Sequence, residues 1–381
     1  MLNLILHTSY ILLSILTLLF LTLPFWNVLL SRFFPERKPR ATDKQYDFGC
    51  IITAYRNAAI AKPLIESLLR QSHPQFHVYL VADACEEEAF DIQNERLTVL
   101  FPNPALHLKA KSIIHATEHF QRKHDYTVIF DADNLAHPDF LQELNRYAAA
   151  GHRSIQGQRT AKNLDTFYAC ADALGEFHKN YIERYVPYLL GSSSVISGSG
   201  MAVESDLYQD YLNSPAIQEG QHLWKRMLQE DKILQNFLLD RGERIVYAWN
   251  AVKKKKKVTT AQAVETQRSR WLFSYFQNVP NSLRHLANSL RKVSWNRWLF
   301  GWITIAPPLF IQLFTALVLA IVGLLVQPWM SLALVVGVGM FVGTILWTLH
   351  LSKVPAQVWQ AVWKIPAFVL QQVKGLLKMG D

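Results

Sequence analysis

The chain is 381 residues long, half hydrophobic, 12% aromatic and only 18% charged, with a net charge of +9. That mixture is richer in apolar residues and poorer in charge than an ordinary soluble enzyme, and the length allows a large core with about two domains. Basic residues gather beside apolar stretches, where anionic lipid attracts them, so the positive charge calls for no nucleic acid partner. The cysteines, Cys50, Cys85 and Cys170, are odd in number and lack ligand spacing, which speaks for a reducing compartment and against zinc or a disulfide framework.

From Leu2 to Leu30 there is no Asp, Glu, Lys or Arg, a run longer than the ~20 residues that cross the hydrocarbon. A signal peptide would start with a basic residue and end at a small-x-small cleavage site; this stretch does neither and reads as a retained anchor. Arg32, Arg37, Lys38 and Arg40 follow it against the single acid Glu36. The positive-inside rule keeps that flank, and the domain after it, cytoplasmic. An integral protein of a bacterial inner membrane is the expected setting.

Phe48–Thr53 reads as a short buried strand ended by Ala54-Tyr55-Arg56-Asn57. Apolar residues at Ile60, Leu64, Ile65 and Leu68 predict a helix over Ala58–Arg70. A second strand, His77–Ala82, ends at Asp83; a third, Leu97–Leu100, precedes a helix over Ala110–Gln121. Tyr126–Phe130 is a further strand and runs into Asp131-Ala132-Asp133. Strands alternating with helices predict an α/β layer with a mostly parallel sheet, in which ligands bind at the carboxyl ends of strands. Tyr55, Asp83 and Asp131 each stand at such an end.

A lone Asp-x-Asp usually marks a solvated turn. At the end of a buried strand, two converging carboxylates require a compensating cation. Oxygen ligands in a partly open geometry suit Mg2+ or Mn2+, which retain waters and share phosphate oxygens with a substrate. A divalent ion on a diphosphate is the natural reading.

Gln229-Glu230-Asp231 opens a helix whose apolar face is Ile233, Leu234, Phe237 and Leu238, an acidic start that the macrodipole alone accounts for. Lys253–Lys257, the one low-complexity run, is expected to be a solvated lipid-facing loop or a phosphate-steering patch. On its own, Gln267-Arg268-Ser269-Arg270-Trp271 reads as a basic, aromatic interface anchor. Asn281–Trp302 mixes Arg284, Arg291, Lys292 and Arg297 with Trp295, Trp298 and Trp302, a density suited to the interface plane. Leu299–Leu349 is again free of charge; Pro307-Pro308 and Gln327-Pro328 divide it into two spans, about Pro307–Val326 and Trp329–His350, forming a hairpin that returns Lys353 to the cytoplasmic side. The tail Val358–Lys378 reads as amphipathic and interfacial, or as a weak third span interrupted by Pro366.

In chain order, Thr53-Ala54-Tyr55-Arg56-Asn57, Val81-Ala82-Asp83-Ala84-Cys85, Asp131-Ala132-Asp133, Ser197-Gly198-Ser199-Gly200-Met201, Glu230-Asp231 and Gln267-x-x-Arg270-Trp271 resemble the motifs of the membrane-bound family 2 glycosyltransferases. That group includes cellulose, chitin and hyaluronan synthases and ceramide glucosyltransferase. Each motif is weak alone; five or six in order are not. The resemblance runs from Asp47 to Trp271 and implies a GT-A fold, a Rossmann-like nucleotide-sugar domain with a mostly parallel mixed sheet, beside about three transmembrane helices and interfacial helices. The implied organisation is an anchor and basic flank over 1–44, a cytoplasmic catalytic domain over 45–280, and an interfacial helix, hairpin and amphipathic tail over 281–381.

Roles follow from the same resemblance. Thr53, Tyr55, Asn57 and Asp83 border the nucleotide, with Tyr55 and Asp83 on the uracil or ribose, and Lys111 helps bind it. Asp131 touches the ribose or sugar, and Asp133 ligates Mg2+ or Mn2+ on the diphosphate. Asp231, with Glu230 beside it, is the general base. Gly198, Ser199 and Gly200 form a loop under the acceptor; Gln267, Arg270 and Trp271 flank the acceptor end and the diphosphate. The implied reaction is inverting transfer of one or a few sugars from a nucleotide-sugar donor, a UDP-sugar first, to a lipid, lipid-linked or glycan acceptor among membrane lipids. The alternatives are a processive polysaccharide synthase, working through a homo-oligomer, and a silent nucleotide-sugar-binding partner of a synthase complex. Two departures stand out: the five lysines replace acidic or mixed residues, and Thr-Ala-Tyr-Arg-Asn leaves Arg56 without a role.

Overall fold

A computed structural model describes residues 2–36, 38–40, 42–86, 90–220 and 229–364. Contacts group the chain into two units: Arg37–Asn163 with Ser192–Lys256, and Met1–Glu36 with Leu164–Gly191 and Lys257–Asp381. These bounds differ from the expected segment 45–280. The helix over Phe167–Lys179 packs against C-terminal helices, and its Ala171 shares a buried cluster with Val264, which draws both segments into the second unit.

In chain order the main helices are α1 (Leu2–Ser31), α2 (Lys62–Leu69), α3 (Lys109–Glu118), α4 (Phe140–Ala149), α5 (Phe167–Lys179), α6 (Ser205–Leu212), α7 (Glu230–Asp240), α8 (Ala261–Arg291), α9 (Trp295–Ile305), α10 (Leu309–Val326), α11 (Pro328–Leu351) and α12 (Ala356–Val362). The first unit is built on eight strands: β1 (Phe48–Tyr55), β2 (Phe76–Asp83), β3 (Leu97–Leu100), β4 (Tyr126–Asp131), β5 (Asn134–Ala136), β6 (Ser154–Ala161), β7 (Met201–Glu204) and β8 (Ile245–Lys255). Their order is β3-β2-β1-β4-β7-β6-β8-β5. Strand β1 lies parallel to β2 and β4, β2 to β3, and β6 to β8; β7 runs antiparallel to β4 and β6, and β5 to β8. The mostly parallel mixed sheet is therefore as expected. β1 and β2 are continuous apolar runs because both faces of a central parallel strand are covered.

Register decides what meets at the sheet edge. Tyr55 lies opposite Asp83, and Thr53 opposite Asp131, so three strand ends deliver their polar residues together. Two expectations need adjusting. The helix over Ala58–Arg70 is a 3-10 turn, Ala58–Ala61, followed by α2, with Pro63 at the N-terminal turn where a missing N–H costs nothing. Lys253–Lys255 is no loop: it continues β8 and pairs with Asn134–Ala136.

Three helices of the second unit are long and apolar enough to cross a membrane: Leu4–Ser31, Leu309–Val326 and Pro328–Leu351. Apolar residues surround each of them, so none has the polar stripe of a surface helix. Tyr10, Leu21, Ala316, Leu319, Met330, Leu334 and Phe341 form their common core, while leucines such as Leu325 (93% exposed) point outward and leave an apolar surface. Asn281–Trp302, expected as one interfacial segment, is divided. α8 ends at Arg291, and Ser294 starts α9 by accepting from the Arg297 N–H. Of the tail Val358–Lys378, the part from Ile365 on lies outside the described residues, so its two readings stay as stated.

Candidate active site

The carboxyl ends of β1 and β2 open into a cleft of about 500 Å³ lined by Thr53, Ala54, Tyr55, Arg56, Asp83, His107, Leu108, Lys109 and Ser112, within the range of ligand sites. Asp83 is 3% exposed and spends both carboxylate oxygens on the backbone, accepting from the Leu106 and His107 N–H groups (2.7 Å each). His107 stands at φ +55, a conformation that an L residue holds only when its surroundings impose it. Asp83 is what imposes it. Tyr55 Oη and His107 Nδ1 share a hydrogen bond (3.1 Å), and Tyr55, 49% exposed, presents an aromatic face at the mouth. Arg56, also left-handed at φ +61, sets its guanidinium 4.9 Å over the Tyr55 ring.

Asp131, at the end of β4, carries two cations. Lys109 Nζ donates to its Oδ1 (2.9 Å) and Lys255 Nζ to its Oδ2 (2.8 Å). Burial opposes ionisation of this carboxyl, but Lys109, Lys255 and Lys253 outweigh it and hold the group well below the usual carboxylate range. The compensating cation predicted for the Asp-x-Asp pair is thus, at Asp131, supplied by the protein itself. Asp133 is different. Its Oδ1 accepts from Asn134 Nδ2 (2.9 Å), and its second oxygen carries no hydrogen bond or ion pair among the described residues.

Lys109 reaches further. Besides Asp131 it donates to the Gly198 carbonyl (3.0 Å) and pairs with Glu230 (3.1 Å). Burial raises the Glu230 carboxyl, Lys109 opposes that, and neighbouring Asp231 adds to it. Asp231 lies beside the Ser197–Met201 loop: a Cβ at Gly198 would sit 3.3 Å from its Oδ2. Gly198 (φ +78) and Gly200 (φ +59) take backbone angles that favour glycine. Gln156 fixes the loop by donating to the Ser199 carbonyl (3.2 Å) and accepting from the Ser197 N–H (2.9 Å); Arg159 donates to the Ser197 carbonyl (3.0 Å). Below it Lys253, fully buried, donates to Ser199 Oγ (2.6 Å) and Asn134 Oδ1 (3.2 Å).

The structure therefore brings Thr53, Tyr55, Asp83, Asp131, Asp133, Gly198–Gly200, Glu230 and Asp231 into one unit at one sheet edge. Asn57 is exposed and makes no capping bond. Lys111 does not line the cleft; Lys109, two residues earlier, does. Gln267, Arg270 and Trp271 belong to the second unit, in the first turns of α8. There Trp271 lies between two cations, Arg268 (4.5 Å) and Lys179 (5.3 Å). Arg268 and Lys257 both pair with buried Asp172 (2.8 and 3.2 Å), and Arg184 with Glu176 (3.2 Å).

Lys109, Gln156 and Arg159 were not anticipated, and Lys255 only as part of a lysine run expected to be a solvated loop or a phosphate-steering patch. The signal for Lys109 was its place at the first turn of α3; the signal for Lys255 was the strand alternation of the run. As for a divalent ion, the donor set fits. Asp133 offers one carboxylate oxygen at an open edge, and Mg2+ or Mn2+ commonly takes one or two protein carboxylates plus phosphate oxygens.

Comparison with known proteins agrees with this geometry. A family model described as "Glycosyltransferase like family 2" matches residues 46–274. Among solved structures, the mannosyltransferase PcManGT from Pyrobaculum calidifontis, in complex with GDP-Man and Mn2+, is 14% identical with a TM-score of 0.56, covering 94% of this chain and 98% of that one. At that identity the likeness is one of fold. TarS from S. aureus is 14% identical with a TM-score of 0.41, covering 63% of this chain and 40% of that one. No curated protein sequence matches the chain.

Proposed function

The chain belongs to glycosyltransferase family 2, and from that premise we propose that it is an inverting enzyme that moves a sugar from a nucleotide diphosphate sugar to a lipid or lipid-linked acceptor at the cytoplasmic face of a membrane. One observation carries the reading: Lys109 lines the cleft and also contacts Asp131, Glu230 and the Gly198 loop, tying a donor-sized cavity to a carboxylate pair. Three helices of membrane-spanning length in the same chain support an acceptor that resides in lipid.

In this reading the nucleotide base rests against Tyr55 and His107, and Asp83 acts by holding the Leu106–His107 backbone that shapes the cleft. Asp133 is the ligand for Mg2+ or Mn2+; such an ion, when bound, neutralises charge on the leaving diphosphate. Asp231 accepts the proton of the acceptor hydroxyl as its oxygen attacks the anomeric carbon and the bond from that carbon to the diphosphate breaks. A single carboxylate base and no enzyme nucleophile give single displacement with inversion. Lys109 pairs with Glu230 beside Asp231 and so offsets part of the repulsion between the adjacent carboxylates. Gln267, Arg270 and Trp271 are assigned to the acceptor end by resemblance alone.

Membranes containing the protein, incubated with labelled UDP-sugars and GDP-sugars and analysed for product size, test this. The GDP-Man of PcManGT is the reason to include the second nucleotide. Labelled lipid with one or a few sugars, absent in Asp231→Asn, is the expected result. A ladder of long chains overturns single transfer, and no product from any donor, together with no nucleotide binding, overturns the assignment.

A further inference from the structure

The lysine run Lys253–Lys257 has no place in the roles above. Strand β8 explains its pattern, since successive side chains of a strand point to opposite faces. Lys254 and Lys256 are exposed, whereas Lys253 and Lys255 point inward. Lys257 is buried in the second unit against Asp172. Three ammoniums thus converge on one sheet edge: Lys109, Lys253 and Lys255.

Hydrogen-bond capacity tells them apart. An ammonium has three N–H donors and no acceptor. Lys109 commits all three, to Asp131, the Gly198 carbonyl and Glu230. Lys253 is fully buried and committed to Ser199 and Asn134. Lys255 donates once, to Asp131 Oδ2, and its side chain remains 27% exposed. Two of its N–H groups are therefore available among the described residues. In register Lys255 lies opposite Asn134, the neighbour of Asp133.

We propose that Lys255 binds the diphosphate of the donor, with Asp131 orienting its ammonium so that the remaining N–H groups meet phosphate oxygens. This rests on the glycosyltransferase reading above and adds a phosphate-binding residue that no motif of the resemblance contains. Lys253 is then a structural cation under the Ser199 loop, and the exposed Lys254 has no part in binding.

The test is calorimetric binding of UDP and GDP to the full-length protein in detergent, without metal and with Mn2+, alongside competition by uridine and guanosine. Lys255→Met and Lys255→Gln are compared with Lys255→Arg and with Lys254→Met as the control. Loss of a charge-assisted hydrogen bond predicts about 10- to 100-fold weaker binding of the preferred diphosphate in Lys255→Met without metal. Nucleoside competition is expected to stay unchanged, Lys255→Arg to recover part of the loss, and Lys254→Met to match the wild type. Wild-type diphosphate affinity in Lys255→Met overturns the inference. So does an equal loss for diphosphate and nucleoside, or failure of both neutral variants to fold, since either makes Lys255 only a counterion for Asp131. If the wild-type protein binds neither diphosphate, the donor reading itself fails, and this inference with it.

Discussion

Gly200→Ala is a demanding test of the loop above the lysines. Gly200 sits at φ +59, and a Cβ there would lie 2.5 Å from Lys253 Cδ and 2.6 Å from Lys253 Cε. Left-handed backbone costs an alanine about 1–2 kcal/mol. Forcing a methyl group into a filled interior costs about 1–3 kcal/mol more. The variant is thus expected to lose about 2–5 kcal/mol of stability. The clash is with the middle of a side chain, which Lys253→Ala removes altogether. A double-mutant cycle followed by thermal unfolding in detergent separates the two costs. In the Lys253→Ala background, Gly200→Ala should cost only the backbone share, about 1–2 kcal/mol, leaving a coupling equal to the overpacking share. Strict additivity, or a cost near zero in the wild-type background, would refute the burial of Lys253 under this loop.

Other outcomes follow from the same geometry. Asp231→Asn should lower turnover by about 10²–10⁴-fold while calorimetry shows nucleotide diphosphate binding intact; full activity refutes the assignment of the base. Asp133→Asn should remove the gain in diphosphate affinity on adding Mn2+ without changing metal-free affinity. Asp131 contributes stability that is present above the ordinary carboxylate range and declines as pH falls below it, because its folded carboxyl is held well below that range against burial by Lys109, Lys255 and Lys253. Acid titration of unfolding should therefore show a shallower loss in Asp131→Asn, which starts less stable at neutral pH. In the second unit, Asp172→Asn leaves Lys257 and Arg268 without the carboxylate they share. Breaking a buried pair of this kind costs about 3–5 kcal/mol, read as a lowered melting temperature.

Much of the fold was legible because parallel strands are covered on both faces. Phe48–Thr53, His77–Ala82 and Tyr126–Phe130 are mostly apolar runs, and the strands they form end at Tyr55, Asp83 and Asp131, where the site begins. The three long apolar helices were equally plain, since charge-free runs of that length are rare outside helices that can cross a membrane. Side-chain identity at the site was harder. Lys111 and Lys109 both fall in the first turn of α3, and helical spacing does not say which points at the cleft. Lys109, the first residue of α3 after extended Leu108, is held there by Asp131, Glu230 and the Gly198 carbonyl, none of them near it in sequence. The Gln267–Trp271 motif was found by its letters, yet Val264 of α8 packs against Ala171 of α5, a relation that no local pattern encodes.

The lysine run shows why composition misled and alternation did not. Five consecutive lysines look like a solvated loop, because an isolated strand with that sequence would place like charges side by side. β8 removes the conflict by giving each inward lysine a different set of acceptors: Ser199 and Asn134 for Lys253, Asp131 for Lys255. Between them Lys254 stays in water, and beyond the strand Lys257 finds Asp172. Asp131, one of the pair expected to need a compensating cation, and the inward lysines therefore satisfy one another, which leaves Asp133 as the carboxylate that can take an added cation. That division also orders the perturbations: neutralising Asp131 should cost stability first, and neutralising Asp133 should cost metal-dependent binding first. A variant pair in which these two effects are exchanged would show that the ion belongs on Asp131 and that Lys255 is its displaced substitute.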